Sequence, residues 1–498
     1  MSRGVLIGAR AVLLAGPTAL AFFTGGYFDE PRVWAGLIVW LLVAIAAVVH
    51  GRSLPRARSA WLALGGLVAL AAWTLGSIAW APIAGSAYHA GQIAVLYIGT
   101  LLAAAMLLRG RSQLAVEPAL AAGTLIVTGY GISGRLLPGL LHFSQSVSAR
   151  GRLEQPLTYW NAMGELAALG FVLCARLAGD RDRDPRLRAA AAAASAPLGL
   201  GLYLSFSRGA LFACAAGIVA LVVLAPRREQ LEGLIVTIAA GGLAAAAAAP
   251  FSGVTSLAGT LSTREWQGAV VLVVLLVITA AACFGQWVLQ RRPVDRGRLR
   301  LPRAAPWLVT ALICAGLAGA IVVGAKEGSA TALSAGPSRY TTLQSNRYAY
   351  WRVAFRAFKH EPLRGVGAGG WAVWWLRYRQ FSEAAADAHS LPIQTLAELG
   401  VIGLALLVTF VGGMGVAAAR AMRARPALAA GPVAALVVYI VHSPLDWDWQ
   451  MPALSLVAFV LAGLVLALAE DAGRASGERA TVESEGSRRA VLVGAEDM

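Results

Sequence analysis

Residues 347–403 read RYAYWRVAFRAFKHEPLRGVGAGGWAVWWLRYRQFSEAAADAHSLPIQTLAELGVIG, and they determine how the rest of the chain is interpreted. The first part of this stretch is a long polar interval in an otherwise apolar chain. It continues directly into an apolar segment that is long enough to cross a bilayer. The polar part contains arginines, tryptophans, tyrosines, a Pro-to-Gly turn and, at its end, a histidine. A protein that only resides in a membrane has no need for such an interval, so we expect it to carry the function.

The composition is that of a membrane protein. The chain has 498 residues, of which 58% are hydrophobic and 14% are charged, and its mean hydropathy is +0.66. Soluble domains are about 45–50% apolar. Apolar runs of about 20 residues recur along the chain, and each can span the roughly 30 Å hydrocarbon layer as a helix. We therefore predict an all-α polytopic membrane protein with about fourteen (twelve to fourteen) transmembrane helices.

The net charge of +16 suggests a nucleic-acid partner, but the positions of the charges argue against one. Arginines cluster in alternate short loops, which is the positive-inside pattern of membrane proteins. These arginines set the topology and do not form a groove for phosphate backbones. The pattern predicts that both termini are cytoplasmic and that residues 326–392 lie outside.

Four regions follow from this topology. Residues 1–325 are predicted to hold transmembrane helices 1–11, residues 326–392 a large extracytoplasmic loop with short interfacial helices, and residues 393–469 helices 12–14. Residues 470–498 are polar and are predicted to form a disordered cytoplasmic tail. The four cysteines lie in apolar runs without metal-ligand spacing, so neither a disulfide nor a metal site is expected.

The polar interval predicts an amphipathic helix. Arg347, Arg352 and Arg356 recur at spacings of about one helical turn, with Tyr348 and Trp351 between them. Such a helix can anchor in lipid headgroups with its rings at the interface. The equally favoured alternative is recognition of a diphosphate, because guanidinium groups bind phosphate oxygens bidentately and stay charged. Tyr348 and Trp351 are then candidates for contact with the substrate.

His389 ends the polar interval, just before Pro392. Imidazole titrates near neutrality, so a neutral histidine can act as a general base toward a hydroxyl group. Asp387 can orient the ring if the backbone between the two residues is not helical. The alternative is a histidine that only caps the next helix. The glycine-rich turn at residues 363–370 permits close approach of a ligand but lacks the Lys-Ser/Thr ending of a P-loop.

Two further places hold charged side chains at the ends of apolar segments. Arg208 lies at the tip of a predicted helical hairpin, where it either reaches lipid headgroups or faces a ligand cavity, and Arg264 is a weaker case of the same kind. Asp446, Trp447 and Asp448 share one predicted outer turn. Carboxylates and indole rings suit the hydroxyls and C–H faces of a sugar, but an aromatic belt with solvated acids has the same composition.

Four segments together resemble the O-antigen ligase and polymerase superfamily of bacterial membrane glycosyltransferases. They are QPLTYWNAMGELAAL at 155–169, SRGA at 207–210, NRYAYWR with HEPLRGVG within 346–367, and AHSLPIQTLAELGVIGL at 388–404. The order of these segments around one large loop is fairly specific, although no single segment is. The resemblance covers about the C-terminal two-thirds of the chain.

The resemblance implies a helical, GT-C-like glycosyltransferase in the bacterial cytoplasmic membrane, with its site facing the exterior. Members take a glycan from an undecaprenyl-diphosphate lipid and transfer it to a hydroxyl group of the lipopolysaccharide core or of another lipid-linked glycan. No metal, nucleotide or other cofactor is implied. His389 matches the family's base, and Arg208 and Arg347 match its diphosphate-binding arginines. A base behind the anomeric carbon implies inversion at that carbon.

Several alternatives stay open at this point. The sequence does not separate ligase from polymerase activity, and Ser390 stands where members often have asparagine. A transporter of lipid-linked glycan needs ionisable residues at mid-membrane and repeated halves, and neither is evident. A structural envelope protein is expected to tolerate replacement of His389. The donor sugar and the acceptor stay undetermined.

Overall fold

The computed structural model describes residues 2–50, 57–292, 297, 299–302, 304–327, 339–340 and 344–471. Every regular secondary-structure element among these residues is a helix, and none is a strand. Thirteen of the helices are long and apolar enough to cross a membrane. The predicted all-α polytopic class is therefore confirmed. Nearly all of the predicted tail, and much of the segment between 326 and 346, falls outside the described residues.

Seventeen helices are named in chain order. They are α1 Ser2–Ala21, α2 Asp29–His50, α3 Arg58–Gly76, α4 Ala84–Leu107, α5 Val116–Leu136, α6 Trp160–Gly179, α7 Pro185–Leu204, α8 Arg208–Leu224, α9 Arg228–Ala248, α10 Ser252–Thr255, α11 Leu261–Leu289, α12 Ala305–Glu327, α13 Arg347–His360, α14 Gly370–Tyr378, α15 Leu391–Ala424, α16 Pro426–His442 and α17 Pro452–Asp471. With 17 residues, α8 is shorter than the thirteen but equally apolar. Together with the thirteen it makes the fourteen helices that the sequence predicts.

The helices α6 and α17 form the centre of the molecule. Both are buried along their whole apolar segments, whereas no residue in the apolar segment of α12 is buried. The burial of α6 follows from its neighbours, because α5, α7, α8, α9 and α16 all pack against it. A helix that is apolar on every side is stable only where it is surrounded by protein or lipid. The ends of α6 and α17 therefore give a rigid base for the loops that connect to them.

A second, smaller cluster lies above this bundle. The helices α13 and α14 pack on the first turns of α15, with Tyr350, Trp371 and Trp375 at the centre of the contact. The Tyr350 ring meets the Trp375 ring edge-on at 4.8 Å, and the two tryptophan rings stack at 5.7 Å. Trp351, which the sequence suggests for either the lipid interface or a substrate contact, is buried in this cluster. Part of the aromatic face of α13 is thus packed against protein.

The helix α15 is interrupted at Gly400, and backbone groups in and next to the glycine-rich turn supply replacement hydrogen-bond partners there. Gly400 has a φ of 68°, which interrupts the intrahelical hydrogen bonds. The amide of Val366 donates to the carbonyl of Ala397 at 3.1 Å, and the amide of Val401 donates to the carbonyl of Pro362 at 2.9 Å. Backbone groups inside a membrane protein need such partners, because unpaired ones cost several kcal/mol. The turn therefore fixes α13 and α14 to the start of α15.

Replacing Gly400 by alanine is expected to lower the free energy of unfolding by about 2–3 kcal/mol. A Cβ atom there would lie 2.2 Å from the carbonyl oxygen of Leu363, and the positive φ disfavours any side chain. Thermal unfolding in detergent measures the effect. Gly415→Ala on the same helix is the control, because a Cβ at Gly415 meets nothing within 4 Å. Equal melting temperatures for both variants would contradict the prediction.

Candidate active site

The site centres on His389 and Asp446, which belong to different loops. His389 immediately precedes α15, and Asp446 lies in the turn between α16 and α17. The Nδ1 atom of His389 is 3.0 Å from an oxygen of Asp446. Because an ionised carboxylate can only accept, Nδ1 carries the hydrogen and Nε2 keeps its lone pair. The side chain of His389 is 22% exposed, so this lone pair can reach a ligand.

The ring of His389 is held from two further sides. The Tyr350 ring stacks on it at 5.3 Å, and the Trp447 ring meets it edge-on at 6.1 Å. The backbone of His389 has a φ of 52°, a left-handed conformation that is rare for residues other than glycine. Such strain persists where the surroundings determine the geometry, and it occurs often at functional sites. The imidazole is therefore fixed in position as well as in tautomer.

Asp446 is fully buried and accepts from several donors. Arg347 donates to one of its oxygens at 2.6 Å, and the Tyr159 hydroxyl donates to the other at 2.6 Å. Burial alone would raise the pKa of Asp446, but the charge of Arg347 and the contact with His389 outweigh burial and hold this pKa well below its usual range. Burial likewise opposes the charge of Arg347, but Asp446 raises the pKa of that guanidinium. Asp446 is thus an anion at neutral pH, and it connects Arg347 to His389.

The contacts of two aspartates differ from those considered for them in the sequence. Asp446 was a candidate for sugar binding, yet all its described contacts are to Tyr159, Arg347, His389 and the adjacent backbone. Asp387, the residue considered for orienting His389, accepts from the Gln394 side chain at 2.9 Å. The His389 ring instead contacts Asp446, which is distant in sequence, at 3.0 Å.

Further arginines lie around this group. Arg208 donates to the carbonyl of Gln344 at 2.9 Å, as expected for a side chain that points from the hairpin toward the large loop. Burial and the charges of Arg208 and Arg347 lower the pKa of Arg339 to about 10. Burial and the charge of Arg339 lower the pKa of Arg152 to about 9. All remain cations at neutral pH, and an anionic ligand would relieve their mutual repulsion.

Sequence reasoning missed Tyr159, Arg152 and Arg339. A signal for Arg152 existed, because the basic loop before α6 was an exception to the positive-inside pattern. Its guanidinium also lies 3.5 Å from the ring centre of Trp160, a contact that fixes the side chain. For Tyr159 and Arg339 no local pattern distinguishes them from ordinary loop residues.

A family model described as O-antigen ligase matches residues 251–408. This segment supports the resemblance of the chain to the O-antigen ligase and polymerase superfamily. The resemblance stated from the sequence is therefore confirmed. Members of this family are glycosyltransferase-like enzymes. No curated protein matches the chain.

The matched O-antigen ligase segment contains only part of the group described above. It includes Arg347 and His389, whereas Arg208 and Asp446 lie outside it. The contacts that connect the two parts run over long sequence distances, 99 residues between Arg347 and Asp446 and 57 between His389 and Asp446. The site is thus assembled from the O-antigen ligase domain and the helices on both sides of it.

Three of the predicted site residues are not brought to His389. Arg264, at the start of α11, lies beside Arg135 and the 253–254 backbone, and no contact within the described part of the chain joins it to His389. Trp351 is buried in the cluster that contains Tyr350 and Trp371. Asp448 is buried and turns away from Asp446 toward His442, at 2.8 Å. Of the others, Trp447 packs on Tyr159 at 4.7 Å, and Tyr348 meets Trp351 edge-on at 5.5 Å.

An apolar groove of about 420 Å³ leads away from this site. Its walls come from α15, α16 and α17, for example from Leu404, Val408 and Phe459. Leu391 and Pro444, which lie two residues from His389 and Asp446 respectively, are among the residues that line the groove. An apolar chain in the groove would therefore pass close to the charged group.

The Arg347–Asp446 pair predicts a specific dependence of stability on pH. The folded-state pKa of Asp446 lies below its unfolded value, so its contribution to stability is complete above about pH 5 and is lost as the pH falls below about 4. Asp446→Asn is expected to unfold at a lower temperature than wild type at pH 7, by an amount that shrinks toward pH 3. Thermal unfolding across this range measures it, with the exposed Asp182→Asn as control. A difference that does not change with pH would contradict the assignment.

Proposed function

We propose that the protein is a membrane glycosyltransferase that moves a glycan from an undecaprenyl-diphosphate lipid to an acceptor hydroxyl group, at the extracytoplasmic face of the bacterial cytoplasmic membrane. The observation that supports it best is the group in which Asp446 holds both His389 and Arg347, at 3.0 Å and 2.6 Å. This arrangement combines an oriented base, His389, with a cation, Arg347, that can stabilise a negatively charged leaving group. The match to the O-antigen ligase model supports glycosyl transfer as the reaction class.

In this reaction His389 is the base. Its Nε2 atom takes the proton of the acceptor hydroxyl group as the acceptor oxygen attacks the anomeric carbon. The bond between that carbon and the diphosphate oxygen breaks, and its electron pair leaves with the diphosphate. Asp446 stabilises the imidazolium that forms, as a carboxylate does beside a catalytic histidine. Attack opposite the leaving group gives inversion, which the anomeric configuration of the product tests.

The arginines stabilise the leaving group. Negative charge develops on the diphosphate as the bond breaks, and preorganised guanidinium groups in a site with little water stabilise it strongly. Arg347 and Arg208 carry this role, and Arg339 and Arg152 add to the positive field. The donor brings its own leaving group, so we expect transfer without an added metal or nucleotide.

The apolar groove supports a lipid-linked donor. We assign it to the polyprenyl chain, because Leu391 in its lining is two residues from His389 and the rest of the lining consists mainly of apolar side chains of three helices. A diphosphate held by the arginines would leave its chain at the entrance of the groove. Each buried CH₂ group contributes about 0.8 kcal/mol to such binding.

Filling the groove is expected to select against long-chain donors. Gly412 lines it, and a Cβ there meets nothing within 4 Å, so Gly412→Leu is tolerated by the backbone. We expect KM for an undecaprenyl donor to rise about tenfold, the loss of roughly two buried CH₂ groups. A donor with two isoprene units should be unaffected. Gly415→Leu, on the same helix, is the control, and equal KM values for Gly412→Leu and Gly415→Leu with the long donor would contradict the assignment.

The function is tested by glycan transfer in proteoliposomes. Purified wild-type protein is given an undecaprenyl-diphosphate-linked glycan and a panel of acceptors, with and without chelator. Transfer that survives the chelator supports the proposal. A ladder of repeat lengths identifies a polymerase, and a single transfer to a non-repeat acceptor identifies a ligase. Movement of intact donor across the bilayer without transfer would replace the proposal by a transporter.

A further inference from the structure

Three buried side chains outside the reacting group form a cluster of their own. Glu165 on α6, His442 at the end of α16 and Asp448 in the turn after it are 0%, 1% and 1% exposed. The Nδ1 atom of His442 is 2.8 Å from an oxygen of Asp448 and 2.9 Å from an oxygen of Glu165. Burying two carboxylates is costly unless they are paired, so a single imidazole here holds two otherwise unfavourable groups.

The cluster holds the turn that carries Asp446. This turn, residues 443–451, begins directly after His442 and includes Asp448. The carbonyl of Asp448 also accepts from the Ser455 hydroxyl at 2.7 Å and from the amide of Met451 at 3.0 Å. The turn is thus hydrogen-bonded to α17 through Ser455, and His442, which directly precedes the turn, lies at ion-pair distance from Glu165 of α6. Asp446 lies between the two fixed points, His442 and Asp448.

The opposite edge of the His442 ring lies against α8. A Cβ atom placed on Gly209 would be 3.1 Å from Nε2 and 3.2 Å from Cδ2 of His442, which is tight enough to displace the ring by a few tenths of an ångström. Gly209 is the residue after Arg208, in the first turn of α8. One imidazole therefore contacts the helix end that presents Arg208 and the turn that presents Asp446.

We propose that His442, with Glu165 and Asp448, is a positioning unit that sets the turn of Asp446 against the start of α8, and so aligns the base His389 with the arginines. The proposal rests on the function proposed above. None of the three residues contacts His389 through any bond in the described part of the chain, so their effect passes through Asp446 and α8. A displacement of about 1 Å at a reacting group can cost about 100-fold in rate.

The test compares conservative variants by their kinetic parameters. His442→Gln and Glu165→Gln are expected to lower kcat about 100-fold. KM for the donor should stay within about threefold, because the lost interaction acts on the transition state. Asp180→Asn is the matched control, since it breaks a buried ion pair with Arg176 at 2.9 Å near the other end of α6. That control should lower the melting temperature but leave kcat per folded molecule unchanged.

A double-mutant cycle separates positioning from a purely structural role. If His442 acts in part through Asp446, His442→Gln should lower kcat by a clearly smaller factor in the Asp446→Asn background than in wild type. Gly209→Ala gives an independent variant, because it presses on the ring without removing a polar group. Additive effects, or variants as active as wild type while wild type transfers glycan, overturn the positioning role and leave the proposed function intact.

Two other results would also overturn the positioning role. Wild-type protein that transfers no glycan removes the proposed function, and the positioning role with it. The ligand atoms of the three side chains lie within 4.8 Å of one another, as in a site for a divalent metal ion. One equivalent of a transition metal in purified wild-type protein that is lost in His442→Gln would overturn the assignment in favour of a metal site.

Discussion

Replacing His389 by asparagine is expected to lower kcat for glycan transfer by about 10³-fold. Asparagine tolerates the left-handed backbone that His389 adopts, with a φ of 52°, so the loop should keep its conformation. An amide cannot take a proton from the acceptor hydroxyl group, so the base is lost while the arginines remain. KM for the donor should therefore change little. Initial rates in proteoliposomes, with labelled donor and varied donor concentration, measure both parameters.

A second histidine of the same interval provides the control for this variant. His360 ends α13, is exposed, and packs its ring on Trp374 at 5.2 Å. His360→Asn removes the same functional group from the same loop and should transfer glycan at the wild-type rate. If His389→Asn is as active as His360→Asn, then His389 only begins α15 and another group must be the base.

The sequence predicted those parts of the fold that depend on local composition. Apolar length alone identified the transmembrane helices, including α8, because each must bury its backbone in lipid or protein. The amphipathic pattern predicted α13, and the position of Arg208 at a hairpin tip was correct. These features need no knowledge of which helices are neighbours.

The sequence could not predict pairings between distant segments. Nothing local distinguishes Asp446 from Asp448, yet one lies in the reacting group and the other in the cluster with His442. The backbone is extended at Asp446, whereas Asp448 begins the 3₁₀ turn at 448–450. Similarly, the aromatic residues of α13 are compatible with a lipid interface and with a protein contact. Only the packing of α14 against α13 shows which of them contact protein.

Replacing Arg347 by glutamine is expected to have two separable effects. The loss of a fixed cation at the leaving diphosphate should lower kcat about 10²–10³-fold. The loss of the partner of Asp446, which is fully buried, should also lower the free energy of unfolding by about 3–5 kcal/mol. Kinetics at a temperature where the variant is folded measure the first effect, and thermal unfolding in detergent measures the second.

The double variant Arg347→Gln/Asp446→Asn distinguishes the two effects of Arg347. Neutralising both partners removes the uncompensated buried charge, so stability should recover, whereas kcat should not, because the diphosphate still lacks its cation. Arg352→Gln on the exposed side of α13 is the control, since its described contact is a 3.4 Å hydrogen bond to Gln380. Recovery of kcat in the double variant would mean that Arg347 serves only to neutralise Asp446. The diphosphate would then have to be bound by Arg208, Arg339 and Arg152 alone.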